Sequence, residues 1–66
     1  MNITLNGKPE LLDEGTCLSH LIKELNIEGR RIAVEINQQI IPKGEHATHV
    51  IQDGDIIEIV HAIGGG

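Results

Sequence analysis

Apolar and polar residues alternate from the start of the chain, with Ile3 and Leu5 set between Asn2, Thr4 and Asn6. A period of two buries one face of a strand and wets the other. Asn6-Gly7 follows. Both residue types accept positive φ, so the chain is expected to turn back as a hairpin. The returning strand runs from about Lys8 to Leu12 and contains Pro9, which cannot donate a ladder hydrogen bond. That strand belongs at a sheet edge.

The period then changes. After the Asp13-Glu14-Gly15 turn, Leu18, Leu21, Ile22 and Leu25 recur at helical spacing, which makes one apolar stripe. The spacing predicts a helix from about Cys17 to Leu25, with Thr16 as its N-cap. Ser19, Lys23 and Glu24 fall on the wetter side, and Asn26 ends the helix.

Beyond the polar loop Glu28 to Arg30, Ile32, Val34 and Ile36 alternate with Ala33 and Glu35 as a third strand. Asn37-Gln38 turns the chain into a short fourth strand, Gln39 to Ile41, which Pro42 stops. That proline marks a second edge. Lys43 to His49 shows no period and reads as an irregular turn, with Val50 and Ile51 packing under it. Asp53-Gly54 signals another turn. The last strand, about Ile56 to Ala62, turns Ile57 and Ile59 to one face and Glu58, Val60 and Ala62 to the other.

Two edge strands leave the last strand near the middle of the sheet. One helix of this length covers one sheet face. The expected architecture is α+β: a mixed sheet of four to five strands with a single helix on one side. The expected organisation is one domain over residues 1–63 and a flexible tail over 64–66, with no repeat or linker.

Size and charge narrow the function. A chain of 66 residues buries only about 60% of the surface that it exposes when unfolded. It can hold one aliphatic core but not also a deep pocket, which disfavours an enzyme. Phe, Tyr and Trp are absent and the net charge is -5. Nucleic acid binding, which draws on aromatic platforms and basic surface, is therefore not expected. An acidic domain suits a partner with an electropositive face, or simply stays soluble. The single cysteine, Cys17, permits no internal disulfide, which fits a reducing cytoplasm. The N-terminus lacks the pattern of a signal peptide. No apolar run approaches the roughly 20 residues that span a bilayer. A soluble cytoplasmic protein with no membrane partner is expected.

The candidate chemistry lies at the end of the chain, where Gly64, Gly65 and Gly66 follow the last strand. Three glycines form a thin segment that reaches about 10 Å when extended and has no Cβ to obstruct a narrow channel. A terminal carboxylate there is unreactive until it is activated. Transfer to AMP creates a leaving group that a sulfur nucleophile can displace. A frayed end would have the same composition. The placement after a central strand favours the functional reading.

The residues also carry a resemblance. Ile3-Thr4-Leu5-Asn6-Gly7, the stretch Val34 to Pro42, Val50-Ile51-Gln52-Asp53-Gly54-Asp55 and the close Ile57 to Gly66 resemble the ThiS family. These are the sulfur carriers of thiamine biosynthesis, within the ubiquitin-like β-grasp group, and the resemblance covers essentially the whole chain. It implies that a ubiquitin-activator-like adenylyltransferase, using ATP and magnesium, converts the Gly66 carboxylate to an acyl adenylate. Sulfur from a cysteine desulfurase pathway then gives a thiocarboxylate, which thiazole synthase consumes. Gly65 and Gly66 match the family's terminal pair, and Gly64 extends it. The carrier itself would bind no cofactor. The resemblance also implies that the sheet surface before the tail docks on the partners, which assigns Val60, Ala62 and Ile63 to partner contact.

Other residues have bland readings. Cys17 is expected as a small, partly buried helix residue rather than a sulfur relay. His20, His46, His49 and His61 lack ligand spacing for a structural metal and are expected to be solvated. Asp53 and Asp55 flank Gly54 and are expected as solvated turn residues. The alternatives to a thiamine carrier are the small subunit of molybdopterin synthase, a ubiquitin-like protein modifier, and a β-grasp binding module with an inert tail. An enzyme in its own right ranks last.

Overall fold

The computed structural model describes residues 1–61. The expectations for Ala62, Ile63 and the glycines, including the boundary between body and tail at residues 63 and 64, lie outside the described residues.

The N-terminal alternation becomes β1, Asn2–Leu5, and the edge segment becomes β2, Lys8–Leu11. They pair antiparallel, with Leu5 opposite Lys8. Asn6 and Gly7 between them have φ of 49° and 82°, the mirror-type turn whose twist matches a hairpin. A second such turn, at Asn37 (φ 53°) and Gln38 (φ 71°), joins β3, Ile32–Ile36, to β4, Gln39–Ile40. The last strand, β5, runs Ile56–His61.

The five strands lie in the order β2-β1-β5-β3-β4. The two proline-marked strands are thus at or beside the edges, and β5 is central. It runs parallel to β1, with Thr4 opposite Ile56 and Leu5 opposite Ile57. It runs antiparallel to β3, from the pair Ile36–Ile57 to the pair Ile32–His61.

The helix α1 spans Leu18–Glu24 and buries Leu18, Leu21 and Ile22. Seven residues are too few for a stable helix in isolation, so packing holds it. Its stripe meets Ile3, Val34, Ile36, Ile51, Ile57 and Ile59 in one aliphatic core. The core is drawn from β1, β3, β5, the helix and Ile51 of the segment before β5.

Three local expectations are corrected. Thr16 does not cap the helix: Cys17 occupies the N-cap position without a side-chain bond, and Thr16 Oγ1 donates to the Asp13 carbonyl at 2.7 Å. The reason is tertiary. The Leu18 amide donates to His49 O and the Ser19 amide to His46 O, so loop carbonyls satisfy the first turn in place of a capping oxygen. Val50 does not pack under the turn with Ile51. It pairs with Cys17 in a short bridge and is 42% exposed, whereas Ile51 is buried. Part of the Lys43–His49 segment is regular, as a 3-10 turn over Lys43–Glu45.

His46 is buried rather than solvated. Its Nε2 lies 3.0 Å from the Ile41 carbonyl, which can only accept, so that nitrogen carries the proton.

Candidate functional site

The strand that leads to the glycines is held from both sides by side chains at the two mirror-type turns. Asn6 ends β1 and Asn37 ends β3. The Ile59 amide donates to Asn6 Oδ1 at 2.8 Å, and the Ile56 amide donates to Asn37 Oδ1 at 2.9 Å. Positive φ at each asparagine swings its side chain beside the backbone of β5, where it supplies an acceptor.

Asp55 anchors the start of the same strand. It is only 7% exposed, which corrects the expectation of a solvated turn residue. Its Oδ1 accepts from Asn37 Nδ2 at 2.9 Å and its Oδ2 from the Gln52 amide at 2.8 Å. A buried carboxylate needs such donors. Asn37 therefore links Asp55 to Ile56, one amide group serving as donor and acceptor. Asp53 is exposed, as expected, and accepts from the Asn2 amide at 2.7 Å. The two aspartates thus have separate hydrogen-bond partners.

The outer face of the sheet, away from the helix, is the second element of the site. Ile57 and Ile59 point into the core, and Val60 points outward with 57% exposure. Ile40 and Ile56, at 71% and 52% exposure, lie on the same outer face. With Ala33, Glu35 and Glu58 they line a shallow depression of about 430 Å³. Ile40 and Ile56 were not singled out by sequence reasoning. Ile56 precedes the buried Ile57, so strand alternation turns it outward. Ile40 pairs with Glu35, whose neighbour Ile36 is buried, and cross-strand partners share a face. Ala62 and Ile63, assigned with Val60 to partner contact, lie outside the described residues, as do Gly64, Gly65 and Gly66.

The remaining candidates fall elsewhere. Cys17 is half-buried beside Val50, and its carbonyl accepts from the His20 and Leu21 amides. His20 lies 3.4 Å from Glu24 one helical turn on, both of them exposed. Among the described residues, no group of three or more His, Cys, Asp or Glu side chains could hold a metal ion. A surface cavity of about 530 Å³ lies between Ile22 of the helix and the segments carrying Ile27, Arg30 and Lys43. The outer-face depression includes Ile56, Glu58 and Val60 of β5.

The likeness to known proteins follows the whole chain. The ThiS family model matches residues 3–66. The sulfur carrier protein ThiS of Escherichia coli (strain K12) is 35% identical over 66 residues, spanning all of both chains. The sulfur carrier protein ThiS of Bacillus subtilis (strain 168) is 38% identical over 66 residues, spanning 97% of this chain and 98% of that one. The thiazole synthase of Magnetococcus marinus is 41% identical over 66 residues, but the chain spans only 20% of that protein's length. The crystal structure of the thiamine biosynthesis protein (ThiS) from Geobacter metallireducens superposes with a TM-score of 0.86 at 30% identity, covering all of both chains. A model match that runs from the first strand through the terminal glycines, on a matching five-stranded sheet, places the chain in the ThiS family.

Proposed function

We propose that the protein is a sulfur carrier for thiazole formation in thiamine biosynthesis and that it works through a carboxylate on Gly66. The observation that carries this reading is the position of β5. The strand leading to the glycines is the central one, gripped by Asn6 and Asn37 and backed by the core. Whatever follows His61 starts from a fixed base.

The proposed chemistry belongs to partners. In the active site of an adenylyltransferase, the Gly66 carboxylate displaces pyrophosphate from ATP and becomes an acyl adenylate. A persulfide sulfur attacks that carbonyl and AMP leaves. A thiol on the donor side then cleaves the resulting acyl disulfide, leaving a thiocarboxylate. Thiazole synthase receives the sulfur. The thiazole synthases of Magnetococcus marinus and Paramagnetospirillum magneticum each contain a stretch similar to this chain, which favours the thiamine branch over a molybdopterin carrier. In this reading the carrier binds no cofactor of its own, residues 1–63 are the body, and Gly64 and Gly65 form the narrow stem.

Partner recognition is assigned to the outer sheet face around Val60, continued by Ala62 and Ile63. Exposed aliphatic side chains beside a reactive end suit a docking surface. The acidic net charge of -5 suits an electropositive partner and faster encounter. No helix among the described residues is long and apolar enough to cross a membrane. A cytoplasmic location fits a chemistry that draws on ATP and persulfide.

Intact-mass analysis after incubation with the adenylating enzyme, ATP and a sulfur donor tests the reading. Exchange of one oxygen for sulfur, mapped to Gly66, is the expected result. An unchanged mass, with an enzyme that loads another ThiS-family carrier, rules the function out.

A further inference from the structure

Among the described residues, the side of β5 that faces β1 is unfilled beyond the Ile59 amide. Along a strand, the amide and carbonyl of one residue point to the same side and those of the next residue to the other. The odd-numbered residues of β5 face β1: Asp55 O accepts from the Thr4 amide, Ile57 O from the Asn6 amide, and the Ile59 amide reaches Asn6 Oδ1. The even-numbered residues face β3, as the bond from the Asn37 amide to Ile56 O shows. The two neighbours do not run equally far. The β3 pairing continues to His61, whereas β1 ends at Leu5, opposite Ile57. The Asn6 side chain adds one rung at Ile59, and the chain then turns away into β2.

The Ile59 carbonyl and the His61 amide and carbonyl therefore face a place where β1 would lie if it were longer. Among the described residues nothing pairs with them there. A strand edge with unpaired donors and acceptors is a template for another extended chain. This one is centred in the sheet, lies beside the exposed Val60, and leads directly into the residues before Gly66.

We infer that residues 59–61 form a strand-addition site, filled by an extended segment of the adenylating enzyme that lies alongside β5 in the place vacated by β1. The inference rests on the sulfur-carrier reading for its choice of occupant. The protein that takes up the chain beyond His61 is the one placed to supply the segment. A second copy of this chain fits less well, because each copy brings a net charge of -5 and the two would repel. Pairing would fix the direction and depth at which the tail enters through backbone bonds, whatever side chains it carries.

The experiment follows the His61 amide. In the wild-type chain, hydrogen exchange at His61, read by NMR, should slow at least about tenfold when the adenylating enzyme is added. Exchange that stays unchanged in a demonstrated complex overturns the strand-addition site, even if Gly66 is loaded normally. An enzyme that binds and protects His61 without loading sulfur supports the site and counts against the function. Self-association of the chain with His61 protected, and no complex with the enzyme, overturns the choice of occupant. A substitution gives an independent reading. His61→Pro removes the outward-facing donor without removing a β3 bond, because the His61 amide points away from β3. It should weaken the complex about tenfold relative to His61→Ala. Equal affinities for the two variants, both folded by circular dichroism, overturn the proposal. If the proline variant does not fold, the exchange measurement still decides.

Discussion

Asn6 and Ile59 stand 53 positions apart in sequence, yet the side-chain oxygen of the first accepts from the backbone amide of the second at 2.8 Å. The bond extends the β1–β5 ladder by one rung past the end of β1. It also ties a hairpin turn near the N-terminus to the strand that leads to the glycines. Asn6→Gly keeps the positive φ but loses the acceptor, and should lower stability by about 1–2 kcal/mol in urea unfolding. Asn6→Asp keeps an acceptor and should lose less. Equal losses for the two would mean that the bond to Ile59 contributes nothing.

The buried Asp55 carboxylate should be the most sensitive polar position in the body. Asp55→Ala leaves the Gln52 amide and Asn37 Nδ2 without their acceptor, and should lower stability by about 2 kcal/mol or more. Asn37→Gly removes the other half of the link while allowing the same backbone. The double variant should lose less than the sum of the two single changes, by about 0.5–3 kcal/mol. Additive losses would show that the two residues do not act together.

Val60 should matter to partners and little to folding. Its outward orientation and 57% exposure mean that Val60→Asp removes little packing. Stability should fall by no more than about 1 kcal/mol, while affinity for the adenylating enzyme should fall about tenfold or more. Steady-state adenylation and denaturant unfolding of the same variant check the two halves. An unchanged adenylation rate at low carrier concentration would remove the outer face from the docking surface.

Cys17 should be dispensable for sulfur transfer. It is half-buried at the start of the helix, and its backbone carries the contacts. Cys17→Ser should load sulfur at Gly66 to the wild-type extent by intact mass. A folded variant that fails to load would make the thiol a relay.

The sheet was legible in the sequence because the strongest signals were local. Asn6-Gly7 fixed one hairpin, Pro9 and Pro42 marked the edges, and the spacing of Leu18, Leu21 and Ile22 fixed the buried side of the helix. The errors arose where distant residues decide local fate. Thr16 has the composition of a cap, but the carbonyls of His46 and His49 reach the helix first. Asp55 and His46 look like surface residues in a linear reading. Asp55 is held by Asn37, 18 positions away, as well as by the Gln52 amide of its own turn. His46 is the exception, reaching only five positions back to the Ile41 carbonyl. Of the candidate site, the alternation of β5 predicted the outward turn of Val60. The asparagine grips and the open edge at His61 depend on where β1 stops relative to β3, which no local pattern records.

The strand order has a consequence for biosynthesis. The hairpin of β1 and β2 and the hairpin of β3 and β4 do not pair with each other; β5 lies between them. A nascent chain halted before residue 56 holds two halves with no strand to join them, and such contacts across distant positions form late. The ribosome must release β5, as far as His61, before the sheet can close. A product truncated before β5 would therefore lack a closed sheet, leaving two unjoined hairpins open to proteases.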